Sequence, residues 1–239
     1  MTTPQHNLAV IKVVGIGGGG TNAIKRMIGE GMTGVDFIAL NTDEQDLLDC
    51  DAPTKLDIGQ STTRGLGAGA DPAVGERAAR DNSQDIEDVL TGADMVFVTA
   101  GEGGGTGTGG APIVAGIARD LGALTVAVVT KPFSFEGKRR AENAANGIEK
   151  LRDACDTLIT IPNDRLLQQE DKTISINDAF SKADEVLFNG VQGITDLIST
   201  PGLINVDFAD VKSVLADSGA ALMGIGRASG NDRASKATD

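Results

Sequence analysis

The chain has 239 residues, 40% of them hydrophobic, which allows one large α/β domain, or one domain and part of another, with a sizeable core. A net charge of −13, with seven Phe and no Trp or Tyr, argues against nucleic-acid binding, which needs clustered cations or stacking platforms. Cys50 and Cys155 make no disulfide framework, no apolar run approaches membrane-spanning length, and the polar Met1–Asn7 is no signal peptide, so a soluble, cytoplasmic protein without direct membrane insertion is expected.

Strand and helix patterns alternate from the start. Leu8–Val14 reads as a buried strand, followed by a glycine turn at 15–20 and a helix through Ile24, Met27 and Ile28. Val35–Leu40 is a second strand ending in Asn41-Thr42-Asp43. Residues 44–71 are expected to be irregular, with a second glycine loop at Gly65–Gly69, before Asp71-Pro72 opens a helix with a capping carboxylate and a first-turn proline. Strands follow at 94–99, 124–130 and 156–161, separated by helices near 111–121 and 137–153. Their continuous apolar runs suit a parallel, Rossmann-like α/β sheet covered by helices on both faces. Ile176, Phe180, Ala183, Leu187, Val191, Ile194 and Ile198 then recur at helical spacing until Pro201-Gly202. An acidic turn, 205–210, a short helix, a strand-like Ala220–Gly226 and a polar tail complete the sequence. The pattern divides into a domain over 1–174, a connecting helix over 175–200, and the start of an incomplete second domain over 201–239.

The run Gly103–Gly109 lies between the apolar Met95–Val98 and a helix expected from Ala111. Strand, glycine loop and helix in that order make a backbone-lined cup for phosphate. The first turn, Gly15-Ile16-Gly17-Gly18-Gly19-Gly20, also fits the G-x-G-x-x-G pattern of a dinucleotide site, with Asp43 as a possible ribose-binding acid. An NAD-dependent oxidoreductase needs a proton donor, however, and the lone His6 is badly placed for one. A Walker loop is excluded, because Gly137-Lys138 is followed by Arg139. Three glycine loops without a loop lysine point to a triphosphate wrapped by backbone amides.

Gly17-Gly18-Gly19-Gly20-Thr21-Asn22-Ala23, Gly103–Gly109 and Asn205-Val206-Asp207-Phe208-Ala209-Asp210, in this order, resemble the FtsZ family, the tubulin-like GTPases of bacterial cell division. The likeness runs from about Leu8 to the end of the sequence. Pro132–Gly137 and Asn189–Ile194 also fit, nearest the actinobacterial branch. The resemblance implies a tubulin/FtsZ-type fold with GTP or GDP held by Gly18, Gly19, Gly20, Thr21 and Asn22, by Gly69 and Ala70, and by Gly105, Thr106, Gly107 and Thr108. It places Glu136 and Arg140 beside the ribose and phosphates, Asn163 at the nucleoside, and Phe180 and Asp184 at the base. Mg2+ would be held mainly through the phosphates and water, with no protein metal ligands. Asn205, Asp207 and Asp210 would complete the site of a neighbouring subunit by polarising the attacking water. Hydrolysis would then require a head-to-tail homopolymer.

The residues have plainer readings too. Asp184 can accept guanine N1–H and its exocyclic amine together, or be a solvated helix residue. Phe180 can stack on a base or fill the core, and Asn22 can cap a helix. Glu136 and Arg140 can be a surface ion pair four residues apart, and Asp207 with Asp210 a helix cap. Family members continue into a sheet-containing domain and a tail that recruits division-ring proteins at mid-cell, and neither lies in this sequence. This short chain is therefore expected to bind GTP more readily than it polymerises. The alternative is a nucleotide-binding fragment without efficient turnover.

Overall fold

A computed structural model of the chain describes residues 9–167, 174–199, 207–223, 226 and 228–238. A strand, β1 (Ile11–Ile16), runs directly into a helix, α1 (Gly17–Gly29), and the step repeats along the chain. β2 (Asp36–Asn41) leads to α2 (Glu44–Leu48), β3 (Thr54–Asp57) to α3 (Pro72–Asp81) and α4 (Ser83–Leu90), and β4 (Met95–Gly101) to α5 (Thr106–Asp120). β5 (Leu124–Lys131) passes through a 3-10 turn, Ser134–Glu136, into α6 (Lys138–Ala154). β6 (Thr157–Pro162) leads to α7 (Asn163–Leu167) and the 24-residue α8 (Ile176–Ser199). Then come α9 (Phe208–Leu215), β7 (Gly219–Ala221) and α10 (Arg233–Thr238).

The strands form one sheet in the order β3-β2-β1-β4-β5-β6-β7, and every pairing is parallel. Alternate residues supply opposite faces, so the inner strands are mainly apolar and β1, β4 and β5 are buried almost along their whole length. Val13, Phe97, Val126 and Val128 pack with Ala23, Ile24 and Met27 of α1 and with Leu187 and Val191 of α8. Val14, Val96, Val98 and Val129 pack in the other layer with Ala79, Val114, Ala115 and Leu151 from α3, α5 and α6. Strand order reverses between β1 and β4. The crossovers on either side of that reversal leave a crevice at the carboxyl ends of the strands.

The glycine-rich segments differ from expectation. Gly15 and Ile16 finish β1, and Gly17–Gly20 are the first turn of α1, not a turn before it. α5 likewise starts at Thr106, five residues before the expected Ala111. Glycine is a poor helix former, so local propensity hid both starts. Tertiary contact overrides it: a Cβ on Gly20 would lie 2.6 Å from the Thr99 carbonyl oxygen, and one on Gly109 would run into the Pro72 carbonyl.

The segment 44–71 is not wholly irregular. It holds α2 and the half-buried edge strand β3, both too short to show a period. α4 was also not foreseen, and the polar tail carries the short α10. The expected strand Ala220–Gly226 is described only as the three residues of β7, which extend the same sheet beside β6. His6, Leu8 and Pro201-Gly202 lie outside the described residues.

Candidate functional site

A cavity of about 330 Å³ opens at the strand-order reversal, above the ends of β1, β4, β5 and β6. Its floor is made by two helix starts, Gly17-Gly18-Gly19 of α1 and Gly105-Thr106-Gly107 at α5. They touch. Gly17 has φ +69°, and a Cβ on it would lie 2.8 Å from the Gly107 nitrogen. Neither helix is capped by a side chain, since Ile16 and Gly105 stand at the cap positions, whereas α2, α3 and α9 are capped by Asp43, Asp71 and Asp207. Two sets of free N–H groups and two positive dipole ends therefore face one cavity. Among the described residues the lining includes no lysine, and Arg140 is its one cation, against the acids Glu102, Glu136 and Asp184. An anion held here meets backbone donors first.

α8 forms the opposite wall through Phe180, Ala183, Asp184 and Leu187. Phe180 is 40% exposed and is held edge-on by Phe133 and Phe135, at centroid distances of 5.4 and 6.4 Å. The ring is thus both packed and available to the cavity, so the two readings of Phe180 are not exclusive. Burial raises the Asp184 carboxyl to about pKa 6, opposed by the Arg26 guanidinium. Asn22 also lines this side.

Between the floor and this wall stand Glu136, Arg140 and Asn163. Glu136 Oε1 accepts from the Phe133 N–H at 2.9 Å, and Oε2 pairs with Arg140. The pair is part of the wall and not a free surface contact. Asn163 starts α7, is 4% exposed, and its buried Oδ1 has no partner among the described residues. Such an acceptor is costly unless a ligand donor meets it. Orphaned acceptor, glycine cradle and buried carboxylate together fit a nucleotide with a donor edge on its base.

Other expected contacts do not line this cavity. Gly20 packs on β4, and Thr21 is fully buried with its hydroxyl donated to the Gly18 carbonyl at 3.0 Å. Thr108 faces away: its Oγ1 accepts from the Gly103 N–H at 2.8 Å, so it shapes the loop from behind. Thr106 does line the cavity, its hydroxyl 2.6 Å from that of Thr42. Ala70, with φ +60°, follows Gly69 outside the lining, and its carbonyl accepts from Asn143, which also reaches the Gly103 carbonyl. Asp43 is not a ribose ligand here, because its carboxylate accepts from Gln45 and Asp46 as the α2 cap.

Asn205 lies outside the described residues. Asp207 and Asp210 form a reciprocal cap on α9, with Asp210 N–H donating to Asp207 Oδ1 at 2.9 Å. They are far from the cavity of their own chain. From Asp184 to the end of α8 is roughly 22 Å of helix, and the last turn of α9 accepts from Thr157, at the opposite end of β6.

Glu102 was missed by sequence reasoning. It lines the cavity, is 4% exposed, and among the described residues its carboxyl oxygens have only the Thr108 hydroxyl near them. The available signal was an acid between two glycines at the end of a mainly apolar strand.

Residues 10–171 match the model of the tubulin/FtsZ family GTPase domain. Among solved structures, an empty FtsZ dimer from M. jannaschii is 49% identical with a TM-score of 0.93, over 98% of this chain and 68% of that one. A mutant of the same protein has the same identity and TM-score, with 70% of that chain covered. The GTPγS-bound protofilament of CetZ2 from Haloferax volcanii is 23% identical, with a TM-score of 0.78 over 92% of this chain and 66% of that one, a likeness of fold.

Proposed function

The chain belongs to the tubulin/FtsZ family and is a GTPase that binds guanine nucleotide, and from that premise we propose that it is a filament-forming cell-division protein whose subunits complete one another's active sites. The cavity between α1, α5 and α8 holds GTP or GDP. The α1 and α5 starts take the phosphates, Arg140 with Glu136 and Asn163 takes the ribose side, and Phe180 with Asp184 takes the base. Gly20, Thr21, Gly69, Ala70 and Thr108 belong to the same site as the backbone that keeps its loops in place. Mg2+ is bound through phosphate oxygens and water.

What carries this reading is the contact of two uncapped helix starts on the floor of a cavity with no lysine among its described lining residues. Asp207 and Asp210, too distant from their own cavity, serve the next subunit together with Asn205. They orient and polarise the water that attacks the γ-phosphate, a step limited mainly by positioning and charge. A contact between the cavity face of one subunit and the α9 face of the next is heterologous and repeats without closing, which gives a filament. Support for such assembly comes from the dimer and protofilament formed by related proteins. On this reading residues 1–174 bind nucleotide, 175–200 connect, and 201–239 supply the acids and the start of a second domain. The filament acts in the cytoplasm at mid-cell together with division-ring proteins.

A second reading, nucleotide binding without efficient polymerisation or turnover, is favoured by Leu197, Val214 and Leu222. These are 55%, 71% and 100% exposed around α8, α9 and β7. Calorimetric titration with GTP, ATP and NAD tests the nucleotide assignment. GTP should bind at least tenfold more tightly than ATP, roughly the worth of one charge-assisted hydrogen-bond pair. Preference for NAD would overturn the reading.

A further inference from the structure

Glu102 stands between the end of β4 and the phosphate-facing glycines, and the proposed chemistry gives it no task. Its backbone is fixed: the N–H donates to the Thr130 carbonyl at 2.9 Å, and the next residue, Gly103, has φ +103°. The side chain tucks behind the loop against α5 and α6. A Cβ placed on Gly147 of α6 would lie 2.5 Å from Glu102 Oε2, so a side chain there has no room. Thr108, from α5, is the nearby hydroxyl, already accepting from Gly103.

The ionisable groups around it lie in the two openings beside this point. Glu136, Arg140 and Asp184 line the nucleotide cavity, and Glu76, Glu149, Lys150 and Asp153 line a second hollow that Thr108 and Gly147 share. Glu136 is paired with Arg140, and Lys150 with Glu76. None of these is bonded to Glu102, whose two buried oxygens have only the Thr108 hydroxyl near them among the described residues. A carboxylate in that position is desolvated with the Thr108 hydroxyl as its one compensating donor, whereas a neutral carboxyl is tolerated and can itself donate one hydrogen bond.

We propose that Glu102 is a proton-dependent positioning residue of the nucleotide site: neutral, it backs the phosphate loop, and ionised, it opposes the nucleotide phosphates, so that binding is linked to one proton on this side chain. The inference rests on the guanine-nucleotide reading of the cavity. Burial moves the Glu102 pKa to about 8, opposed only by Thr108, which sets the window just above neutrality. A bound polyanion raises it further, so nucleotide and proton bind cooperatively. As pH rises through that window the free protein loses the proton and affinity falls.

Titration of the full 239-residue chain with GDP, whose terminal phosphate is mostly ionised at pH 7 and only gains charge toward pH 9, tests this. Affinity should fall about tenfold across that range, following the fraction of Glu102 that stays protonated. Glu102→Gln, an isostere of the neutral carboxyl, should bind as the wild type does at pH 7 and lose at least threefold less by pH 9. Guanine begins to lose its own N1 proton in the same range for both proteins, so the difference between them is the readout. Equal profiles overturn the inference. Should the variant fail to fold, calorimetry of the wild type at pH 8 in two buffers of different ionisation enthalpy decides: about half a proton should be taken up per GDP, and zero uptake overturns it. Absence of GDP binding by either protein at pH 7 would sink the nucleotide reading itself.

Discussion

Asp184 must be ionised to accept both guanine donors, and its surroundings make that conditional on pH. Burial lifts its pKa to about 6 in the free protein, with Arg26 only partly opposing. A ligand that selects the carboxylate competes with the proton, so affinity for guanine nucleotides should fall as pH drops through 6, by about tenfold per unit at the limit. Asp184→Asn should lose ~10–100-fold in affinity at pH 7.5, as expected for a charge-assisted bond, and should lose this acid limb. A fluorescent GDP analogue titrated from pH 5 to 7.5 reads both, and an unchanged acid limb in the variant would remove Asp184 from the base site. Glu102 has the opposite consequence for folding. Its folded pKa lies above the unfolded carboxylate value, so the folded state binds more protons between the two. Its stability contribution is full at pH 4 and is lost as pH rises toward 8. The stability advantage of Glu102→Gln, read as a urea midpoint, should therefore grow over that interval by a few kcal/mol. A constant difference would mean that the carboxyl is not buried as described.

The helix starts on the cavity floor are held by glycine contacts, whereas the α8 wall is held by large side chains such as Phe180 and Leu187. α3 and α5 approach through Gly75 and Gly109: a Cβ on Gly75 would enter the Gly105 carbonyl, and one on Gly109 the Pro72 carbonyl. Gly109→Ala should force these helices apart, at a cost of about 1–3 kcal/mol or more for an overpacked contact. GTP affinity should fall as well, because the start of α5 moves. Gly116→Ala, in the same helix with open space around its Cβ, should instead stabilise by roughly 0.5–1 kcal/mol through backbone entropy. Urea unfolding of the two variants separates a contact effect from a propensity effect, and equal shifts would contradict the packing account. The same contrast explains what was legible in the sequence. β1, β2, β4, β5, β6 and α8 announced themselves because their apolar patterns are long and uninterrupted. β3 and α2 are too short to show a period, and the first turns of α1 and α5 carry glycines that only their neighbours make helical.

Across the molecule, the cavity sits at the carboxyl ends of the strands, while Asp207 and Asp210 lie beyond the far end of α8. If the two meet only between subunits, phosphate release should rise faster than linearly with protein concentration. Asp210→Asn, which keeps an oxygen for the α9 cap, should leave GTP affinity within about twofold and lower turnover by at least tenfold, the scale of a lost water-positioning group. Release per subunit that stays constant with concentration would favour the second reading, binding without assembly-driven turnover. Loss of affinity together with turnover would assign Asp210 to the fold of α9.

The sequence by itself determined the parallel α/β class, the three glycine-rich segments, the absence of a lysine in them and the family likeness, because these reside in composition, periodicity and short spacings. Only the tertiary structure decided which glycines open helices, that Thr108 turns away from the cavity while Thr106 faces it, and that Asp43 spends its carboxylate on a cap. It alone left Glu102 and Asn163 buried at the cavity and separated the acidic pair from it. Each of these depends on what a side chain meets from a distant part of the chain, and neither propensity nor local spacing contains that information.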